Sequence, residues 1–493
     1  MDNTVGARNR SWWDLSVVGY ALAGILAGLY AVMLPFPASI LAIAGLALVY
    51  YSVAKPEIGI LTIVVLIASI LFEESLPLIP IGVGSLHISD LLLIALLCKI
   101  PYQSLTGRTF RIIRTPLDVP LLLFFGTALV SAVLALTRFG VDFATVTRNL
   151  RSVTYYLAFF VITNHIRSKK QALFLIKGLL SIAVFVAIAM VVQAVVGDAV
   201  QLMPGRVEQA GTFDSQYEAL RILPPGQTMI YSFFIVTGCL LVMARQKPLL
   251  SNRHFYAALL LGAGVLLTYN RVYWVAIILS ALILMKLVTR QERKRLIPLL
   301  VGAVVFLVGT SVLFVSLGGR YGQTAASISE RFTSLFAGSE LTQSGPIEDR
   351  RLENEYALKA IAQHPLLGIG LGNSYRPQIY GDEDLITHYV HNGYLWFMKD
   401  MGVIGLSFFL WFFFGFLIRG LRNVRRIQDP FFKSAATGFI LGGIGMIPMT
   451  FFNPVLMQWF SIITIAITAG LTEVIVADDE AGPMRAAAQS TFK

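Results

Sequence analysis

The chain has 493 residues, of which 56% are hydrophobic and only 14% are charged, and its formal net charge is +11. This composition excludes a soluble globular protein and indicates a polytopic membrane protein. The basic residues cluster in short segments between apolar runs, as membrane topology favours, so the positive charge does not indicate nucleic-acid binding. The two cysteines, Cys98 and Cys239, lie within or at the end of apolar runs and predict neither a disulfide framework nor a metal site.

Apolar runs that approach membrane-spanning length recur along the chain. In chain order they are 17–34, 38–54, 58–72, 88–100, 117–137, 152–165, 171–197, 224–244, 254–269, 272–288, 296–317, 402–418, 432–450 and 455–476. No small-residue cleavage site follows the first run, so we interpret it as an uncleaved helix. The pattern predicts an all-α polytopic membrane protein with about 12–14 transmembrane helices and one long extracytoplasmic loop.

The distribution of charge predicts the orientation of these helices. If the N-terminus is cytoplasmic, every second connection is basic, as the positive-inside rule expects. The inside connections then hold Lys55, Lys99, Arg108, Arg111, Arg114, Arg167, Lys169, Lys170, Arg245, Lys247, Arg253, Arg290, Arg293, Lys294, Arg295, Arg419, Arg422, Arg425 and Arg426. This alternation predicts N-terminal transmembrane helices over 1–317, an extracytoplasmic loop over 318–390, C-terminal transmembrane helices over 391–476 and a cytoplasmic tail over 477–493.

The end of the long loop carries the most informative motif, which runs from His391-Asn392 to Gly402-Val403-Ile404-Gly405. If this stretch is one helix, the eleven positions from His391 to Gly402 make about three turns and place both residues on one face. Gly402 and Gly405 on that face would let another helix approach closely. His391 is then at the outer boundary of the membrane, where the positive end of the helix dipole favours a neutral imidazole that accepts a proton. The alternative is an interfacial histidine that caps the helix.

This motif resembles the signature of the O-antigen ligase and O-antigen polymerase superfamily of membrane glycosyltransferases. In that signature a His is followed by Asn, Ser or Gln, nine arbitrary residues, Gly, two more residues, and then Gly, Thr or Tyr. The segment from His364 to Gly372, His-Pro-Leu-Leu-Gly-Ile-Gly-Leu-Gly, is similar to one that precedes the catalytic His of the superfamily. A phosphate-binding loop is not predicted there, because no strand precedes these glycines and no Lys-Ser or Lys-Thr follows them.

Arginines on the predicted outer side run against the topology bias and are candidate substrate ligands. Arg271 lies between two apolar runs, where the superfamily has a comparable Arg that often follows Ser; here Asn270 precedes it. Arg206 lies in a loop that resembles the Arg-containing, Gly-Thr-Phe loop of the superfamily, although the usual Asn-Pro-Asn-like turn is replaced after Phe213. Further candidates are Arg221, Arg148, Arg151 and Arg351.

The chemistry of guanidinium supports this assignment, since it stays charged and binds phosphate through two parallel hydrogen bonds. The alternatives are arginines that reach lipid headgroups or lie on solvated surfaces. His388 precedes His391 by three positions, and the acidic segment 381–384 is near, but no third ligand has a matching spacing. No metal and no cofactor are therefore predicted.

The resemblance implies transfer of a glycan from undecaprenyl diphosphate to a sugar hydroxyl, on the outer face of a bacterial inner membrane. The acceptor is lipid A–core for a ligase and another lipid-linked glycan for a polysaccharide polymerase, and a role in exopolysaccharide synthesis stays open. In the implied mechanism His391 is the general base, Asn392 orients the histidine or the sugar, and Arg271 and Arg206 hold the diphosphate. The alternative function is a transporter or flippase of the lipid-linked glycan, but transporters favour internal repeats and ionisable residues at the membrane midplane.

Overall fold

The computed structural model describes residues 47–67, 79–80, 85–106, 110–210, 219–245, 247–317, 345–378 and 387–480, together with a few single positions. Its helices are α1 (Pro56–Ile67), α2 (Ile88–Thr106), α3 (Asp118–Thr137), α4 (Phe143–Thr154), α5 (Ala158–His165), α6 (Lys169–Val196), α7 (Gln227–Met243), α8 (Arg253–Leu267), α9 (Arg271–Leu287), α10 (Arg290–Leu317), α11 (Gly345–Gln363), α12 (Gly393–Asn423), α13 (Pro430–Phe452) and α14 (Trp459–Glu480). Two antiparallel hairpins pair β1 (Ile79–Pro80) with β2 (Ser85–Leu86) and β3 (Arg206–Ala210) with β4 (Ala219–Leu223).

The protein is an all-α polytopic membrane protein, as its apolar runs predict. Among the described residues, six segments are long and apolar enough to cross a membrane: Ile88–Thr106, Asp118–Thr137, Lys169–Val196, Gly393–Arg426, Pro430–Phe452 and Trp459–Asp478. Helices α1, α7 and α8 are apolar but shorter. The expected total of about 12–14 spans includes runs that lie outside the described residues, such as 17–34, and stays a prediction.

The centre of the bundle is formed by α13 and α14. In their apolar windows 72% and 83% of the residues are buried, compared with 39% in α6. Small residues let the neighbouring helix approach, since a Cβ on Gly438 of α13 would lie 2.6 Å from the Val236 Cα of α7. Burial on all sides explains why α13 and α14 are apolar around their whole circumference rather than along one stripe.

Within the long loop, the sequence predicts a helix over about 347–363 with Ala357, Leu358 and Ile361 on one face. The loop helix α11 begins at Gly345 and ends at Gln363, close to this range. Ala357 and Ile361 are buried as expected, with 0% and 6% of their surface exposed. The expectation that Leu358 shares this face is wrong, since it is 52% exposed. One position along a helix rotates a side chain by about 100°, so Leu358 turns away from the face that Ala357 and Ile361 share.

The prediction of one continuous helix through the His391 motif is wrong at Gly402. This residue has φ 65° and ψ −171°, which breaks α12 into two helical halves. The ring centroids of Phe397 and Phe409 are consequently only 4.3 Å apart, on either side of the break. Twelve residues of straight helix would rise about 18 Å, so the two halves are strongly offset or bent. His391 and Gly402 therefore do not share one helix face, contrary to the expectation from a continuous helix.

The glycine-rich segment after α11 fills this break and satisfies the backbone groups that it exposes. Lys399 C=O and Asp400 C=O accept from the N–H groups of Ile369 and Gly370 at 2.7 and 3.2 Å. On the other side of the break, Val403 N–H donates to Pro365 C=O at 2.9 Å. A Cβ on Gly402 would lie 2.1 Å from the Leu366 carbonyl oxygen, so no other residue permits this approach. The two glycine motifs of the sequence thus form one structural unit.

A buried ion pair fastens the same unit. Lys399 and Asp400 have no exposed side-chain surface, and Lys399 Nζ lies 2.5 Å from Asp400 Oδ1. Trp396 Nε1–H donates to Asp400 Oδ2 at 2.8 Å, and Lys399 Nζ donates to Asn373 C=O at 3.1 Å. Paired charges with additional hydrogen bonds are the form in which such groups tolerate burial. These contacts hold the chain that leads from α11 to His391 against the first half of α12.

Candidate active site

His391 is held by a carboxylate that the sequence analysis did not identify. His391 Nδ1 lies 2.7 Å from Glu353 Oε2, and the His391 backbone N–H donates to the same oxygen at 3.3 Å. Glu353 lies on α11 and its side chain is only 8% exposed, whereas the imidazole of His391 is 40% exposed. The loop helix therefore lies beside the start of α12 and presents an acid to the motif histidine.

This contact determines which imidazole nitrogen is available for chemistry. An ionised carboxylate only accepts hydrogen bonds, so Nδ1 of His391 carries the proton and donates it to Glu353. The other nitrogen, Nε2, keeps its lone pair and belongs to a half-exposed ring. A base whose orientation is set by a third group is the arrangement on which nucleophile activation depends. The pair is thus suited to take a proton from a substrate hydroxyl.

Behind Glu353 lies a second group that the sequence analysis did not identify, Arg376. Its Nη2 lies 3.7 Å from Glu353 Oε1, and its side chain is 6% exposed. A buried carboxylate is costly unless a cation compensates it, and Arg376 supplies this cation. His391, Glu353 and Arg376 form a continuous line from the surface to the interior, which we call the His–Glu–Arg line.

Tyr389 forms a wall beside the imidazole. Its ring packs edge-on against His391 at a centroid distance of 4.9 Å and against Trp396 at 5.0 Å. The Tyr375 hydroxyl donates to Tyr389 C=O at 3.0 Å and fixes this part of the chain. Burial raises the pKa of Tyr389 to about 12, so its hydroxyl stays protonated at neutral pH. The tyrosine therefore acts as packing and as a hydrogen-bonding group rather than as a second base.

Arginines that act on Tyr389 give this part of the site a positive potential. Arg206 and Arg350 both act electrostatically on the Tyr389 hydroxyl, and both also act on the guanidinium of Arg221. Arg206 and Arg221 are brought together by the β3–β4 hairpin, in which Arg206 pairs with Leu223 and Glu208 pairs with Arg221. We call Arg206, Arg221 and Arg350 the arginine rim. Two of these guanidinium groups act on the tyrosine that packs against His391 and the third lies near both, an arrangement that suits a multiply charged anion.

Arg221 links the rim to the turn before α9. It donates to Glu208 Oε1 at 3.1 Å and to Thr268 C=O at 3.2 Å. Burial is the main cause that lowers the pKa of Arg221 from its ordinary value, yet the group stays charged. The turn contains Tyr269 at φ 50°, an unusual value for a residue other than glycine, and Arg271 begins α9 directly after it. The rim and Arg271 thus belong to one end of the helical bundle.

Asn392 is the N-cap of α12. Its Oδ1 accepts from the backbone N–H groups of Tyr394 and Leu395 at 3.1 and 3.3 Å. The residue that caps this helix is therefore the asparagine, and His391 lies one position before the cap. Its proposed role in orienting histidine or sugar stays a prediction. Gly405 permits close packing against α3, since a Cβ there would lie 3.3 Å from Thr127 Cγ2.

The other predicted arginines have different surroundings. Arg151 is already neutralised, because its Nε contacts both oxygens of Asp90 at 2.8 and 2.9 Å. Arg148 is exposed on α4 and acts electrostatically on His388. Arg351 is exposed on α11, whereas its neighbour Arg350 is half-buried and belongs to the rim. Of this group, Arg148 retains an accessible charge near the motif, and all three assignments stay predictions.

His388 differs from His391 in its environment. Burial, together with the smaller effects of the charges of Lys399 and Arg148, lowers the pKa of His388 to about 4. His388 is therefore neutral at physiological pH. Among the residues that the structure describes, no three His, Cys, Asp or Glu side chains come together as a candidate metal-binding group. The acidic segment 381–384 lies outside the described residues.

The sequence contained a usable indication of Glu353 that the motif-based reasoning passed over. Glu353, Ala357 and Ile361 recur at intervals of four and share the buried face of α11. An acid on the apolar face of a helix is rare unless it has a partner. Arg376 lies in an irregular segment, where no periodicity indicates burial, so only the structure identifies it.

The fold and site define a polytopic helical membrane protein with a His–Glu–Arg line and a rim of arginines at one end of the bundle. Residues 256–410 match the family model described as O-antigen ligase. This match supports the O-antigen ligase and polymerase family, as the His391 motif predicts, and with it a membrane glycosyltransferase type of enzyme. The matched segment contains the His–Glu–Arg line and Arg271, but it begins after the β3–β4 hairpin. No curated protein matches the chain.

Proposed function

We propose that this protein transfers a glycan from undecaprenyl diphosphate to a sugar hydroxyl, on the outer face of the inner membrane, as an O-antigen ligase or polysaccharide polymerase. The observation that carries the proposal is the 2.7 Å contact between His391 Nδ1 and Glu353, which leaves Nε2 as a base in a half-exposed ring. The positive surroundings of that base support an anionic substrate. The match over 256–410 supports the class of reaction.

The proposed step is a direct displacement with inversion at the anomeric carbon. His391 Nε2 takes the proton of the acceptor hydroxyl, whose oxygen forms a new bond to the anomeric carbon of the donor. The bond between this carbon and the diphosphate oxygen breaks, and its electron pair leaves with undecaprenyl diphosphate. His391 ends as an imidazolium, which Glu353 stabilises without taking the proton itself. General-base assistance of this kind contributes about 10²–10⁴-fold to the rate.

In the proposed mechanism, the arginine rim stabilises the diphosphate leaving group. Negative charge on the diphosphate increases as the glycosidic bond breaks, so fixed guanidinium groups stabilise the transition state more than the ground state. Arg206 and Arg350 act electrostatically on Tyr389, beside His391, and on Arg221. Arg221 in turn contacts the turn that precedes α9, the helix that Arg271 begins. In the proposed mechanism, Arg206 and Arg271 bind the diphosphate, and Arg350 completes the clamp.

The test is glycan transfer in a strain that lacks the gene and carries either wild type or His391→Ala. Lipid-linked glycan and surface polysaccharide are separated by length on a gel. We expect His391→Ala to reproduce the deletion while the protein remains in the membrane at its usual level. A variant with near wild-type transfer would exclude His391 as the base.

The same gel distinguishes the two members of the proposed class. Long chains that stay on undecaprenyl diphosphate after deletion identify a ligase, because polymerisation is intact and only transfer to the final acceptor fails. Single repeats identify a polymerase. Accumulation of donor that never reaches the outer leaflet would instead support a flippase and overturn the proposal.

A further inference from the structure

A groove lies along α12 at the end that is remote from His391. It encloses about 700 Å³ and opens to the surface of the bundle. Its apolar walls include Leu410, Trp411, Phe414 and Ile418, and its polar end is formed by Arg422 and Arg426. The proposed transfer chemistry uses none of these residues, so the groove requires a separate explanation.

The groove has the shape of a binding site for a single chain. Trp411, Phe414, Ile418 and Arg422 are spaced by three and four positions and therefore lie on one face of α12. From Leu410 to Arg422 the helix rises about 18 Å. One leaflet of a bilayer has a hydrocarbon depth of about 15 Å. The groove therefore extends through the depth of one leaflet, with its arginines at the headgroup level.

Gly415 forms the floor of the groove. It lies between Phe414 and Ile418, and a Cβ in its place would lie 2.9 Å from Leu117 Cδ2 of the neighbouring segment. Trp411 and Ile418 are 54% and 48% exposed on either side of it. Because residue 415 has no side chain, Leu117 packs down onto the helix there and forms a low floor between the large exposed side chains. An acyl chain fills such a concavity better than it covers a flat helix surface.

The charges at the polar end lack an anion within the described part of the chain. Arg419 is occupied, because its Nε lies 2.8 Å from Glu473 Oε2, whose side chain is 3% exposed. Arg422 and Arg426 are exposed, and no ion pair involves them among the described residues. Basic groups at this depth are attracted to anionic lipid headgroups by about 1 kcal/mol each.

We propose that this groove binds one anionic diacyl phospholipid. Its phosphate lies between Arg422 and Arg426, and one acyl chain lies over Gly415 against Trp411 and Phe414. The charge of Arg422 and Arg426, which have no ion pair among the described residues, and the apolar groove of leaflet depth together select this ligand. A zwitterionic lipid fits the groove equally well but brings its own cation to the arginines, so net charge decides the preference.

The test is native mass spectrometry of the full-length protein with phosphatidylglycerol or phosphatidylcholine of identical acyl chains. Wild type retains one phosphatidylglycerol in preference to phosphatidylcholine. The double variant Arg422→Gln/Arg426→Gln binds phosphatidylglycerol about 30-fold more weakly, from about 1 kcal/mol per arginine. Arg425→Gln is the matched control, since Arg425 is exposed beside the groove but does not line it.

The apolar half of the groove has its own variants. Gly415→Leu displaces Leu117 from the floor into the groove and weakens phosphatidylglycerol binding without a change of charge. Trp411→Ala tests the wall if the first variant does not fold. Equal retention of both lipids, or full retention by the double variant, overturns the proposal. Competition by millimolar inorganic phosphate identifies a small-anion site, and a dimer mass that Trp411→Ala abolishes identifies a second copy as the occupant; either result also overturns it.

Discussion

The exchange of one atom in the Glu353 side chain tests the His–Glu–Arg line most directly. Glu353→Gln keeps the size of the side chain and its ability to accept from His391 Nδ1, but it removes the negative charge. A hydrogen bond to a charged group contributes about 1.5–3 kcal/mol, compared with about 0.5–1.5 kcal/mol for a neutral one. The charge matters most when His391 becomes an imidazolium, so the loss falls on the transition state.

The distance in the structure sets the size of the effect. The two groups are 2.7 Å apart, and their side chains are 8% exposed for Glu353 and 40% exposed for His391. The pair is therefore only partly exposed to water. Two unit charges about 4 Å apart interact by about 1 kcal/mol in water and by about 4 kcal/mol at the dielectric typical near a protein surface. We expect an intermediate loss of about 2–3 kcal/mol, which lowers kcat by about 30–200-fold. The KM for the lipid-linked donor stays nearly constant.

The assay is transfer by the purified enzyme from a lipid-linked donor, with kcat and KM determined separately. Glu355→Gln is the matched control, because Glu355 lies on the same helix but is 55% exposed and paired with Lys359. Retention of more than half of kcat by Glu353→Gln would refute the assignment of Glu353 as the residue that orients and stabilises His391.

A second variant distinguishes a loss of folding stability in Glu353→Gln from a direct loss of catalysis. Glu353→Gln removes the carboxylate that lies 3.7 Å from the buried Arg376, and removal of one partner of a buried pair costs about 3–5 kcal/mol of folding free energy. The double variant Glu353→Gln/Arg376→Gln removes both charges. We expect it to regain thermal stability but not activity. Recovery of activity together with stability would show that the pair acts through folding alone.

Three further predictions concern the motif and the rim. Gly402→Ala should lower the free energy of unfolding by more than about 2 kcal/mol, since φ is 65° and the added Cβ meets the Leu366 carbonyl. The control Gly302→Ala, whose added Cβ has nothing within 4 Å, should leave that free energy unchanged, and thermal unfolding measures both variants. Arg350→Ala should raise the KM for the donor about tenfold, whereas Arg350→Lys restores part of the binding because it keeps the charge and loses the planar fork; an unchanged KM in both would remove this residue from the rim. Asn392→Ala should cost about 1 kcal/mol of stability and Asn392→Ser almost none, so a serine variant that is stable but inactive in transfer would identify a direct role in orienting histidine or sugar.

The class of protein, the family and the motif histidine were accessible from the sequence. Membrane helices can be predicted from composition, because spanning residues must tolerate hydrocarbon and the backbone must form all of its hydrogen bonds within the helix. The His391 motif is contiguous, and so are the glycines at 368, 370 and 372. Local patterns of this kind can be recognised without knowledge of the tertiary structure.

The partners of His391 were decided only by the tertiary structure. Glu353 and His391 are 38 positions apart, and Arg376 and the β3–β4 hairpin come from still other parts of the chain. Which of two adjacent arginines, 350 or 351, belongs to the site depends on the rotation of α11, and a step of about 100° decides it. The number and sign of the charges in the sequence do not distinguish Arg350 from Arg351.

The break at Gly402 is a second feature that the sequence alone does not predict. The sequence indicates a helix over this stretch, since a nearly unbroken apolar run follows it from Leu406 to Ile418 and glycine alone costs a helix only about 1 kcal/mol. What stabilises the break lies elsewhere: the segment after α11 supplies hydrogen bonds to both halves, and Lys399 with Asp400 fastens it. Local preference predicted the straight helix, and the long-range backbone pairing that overrides it exists only once the chain has folded.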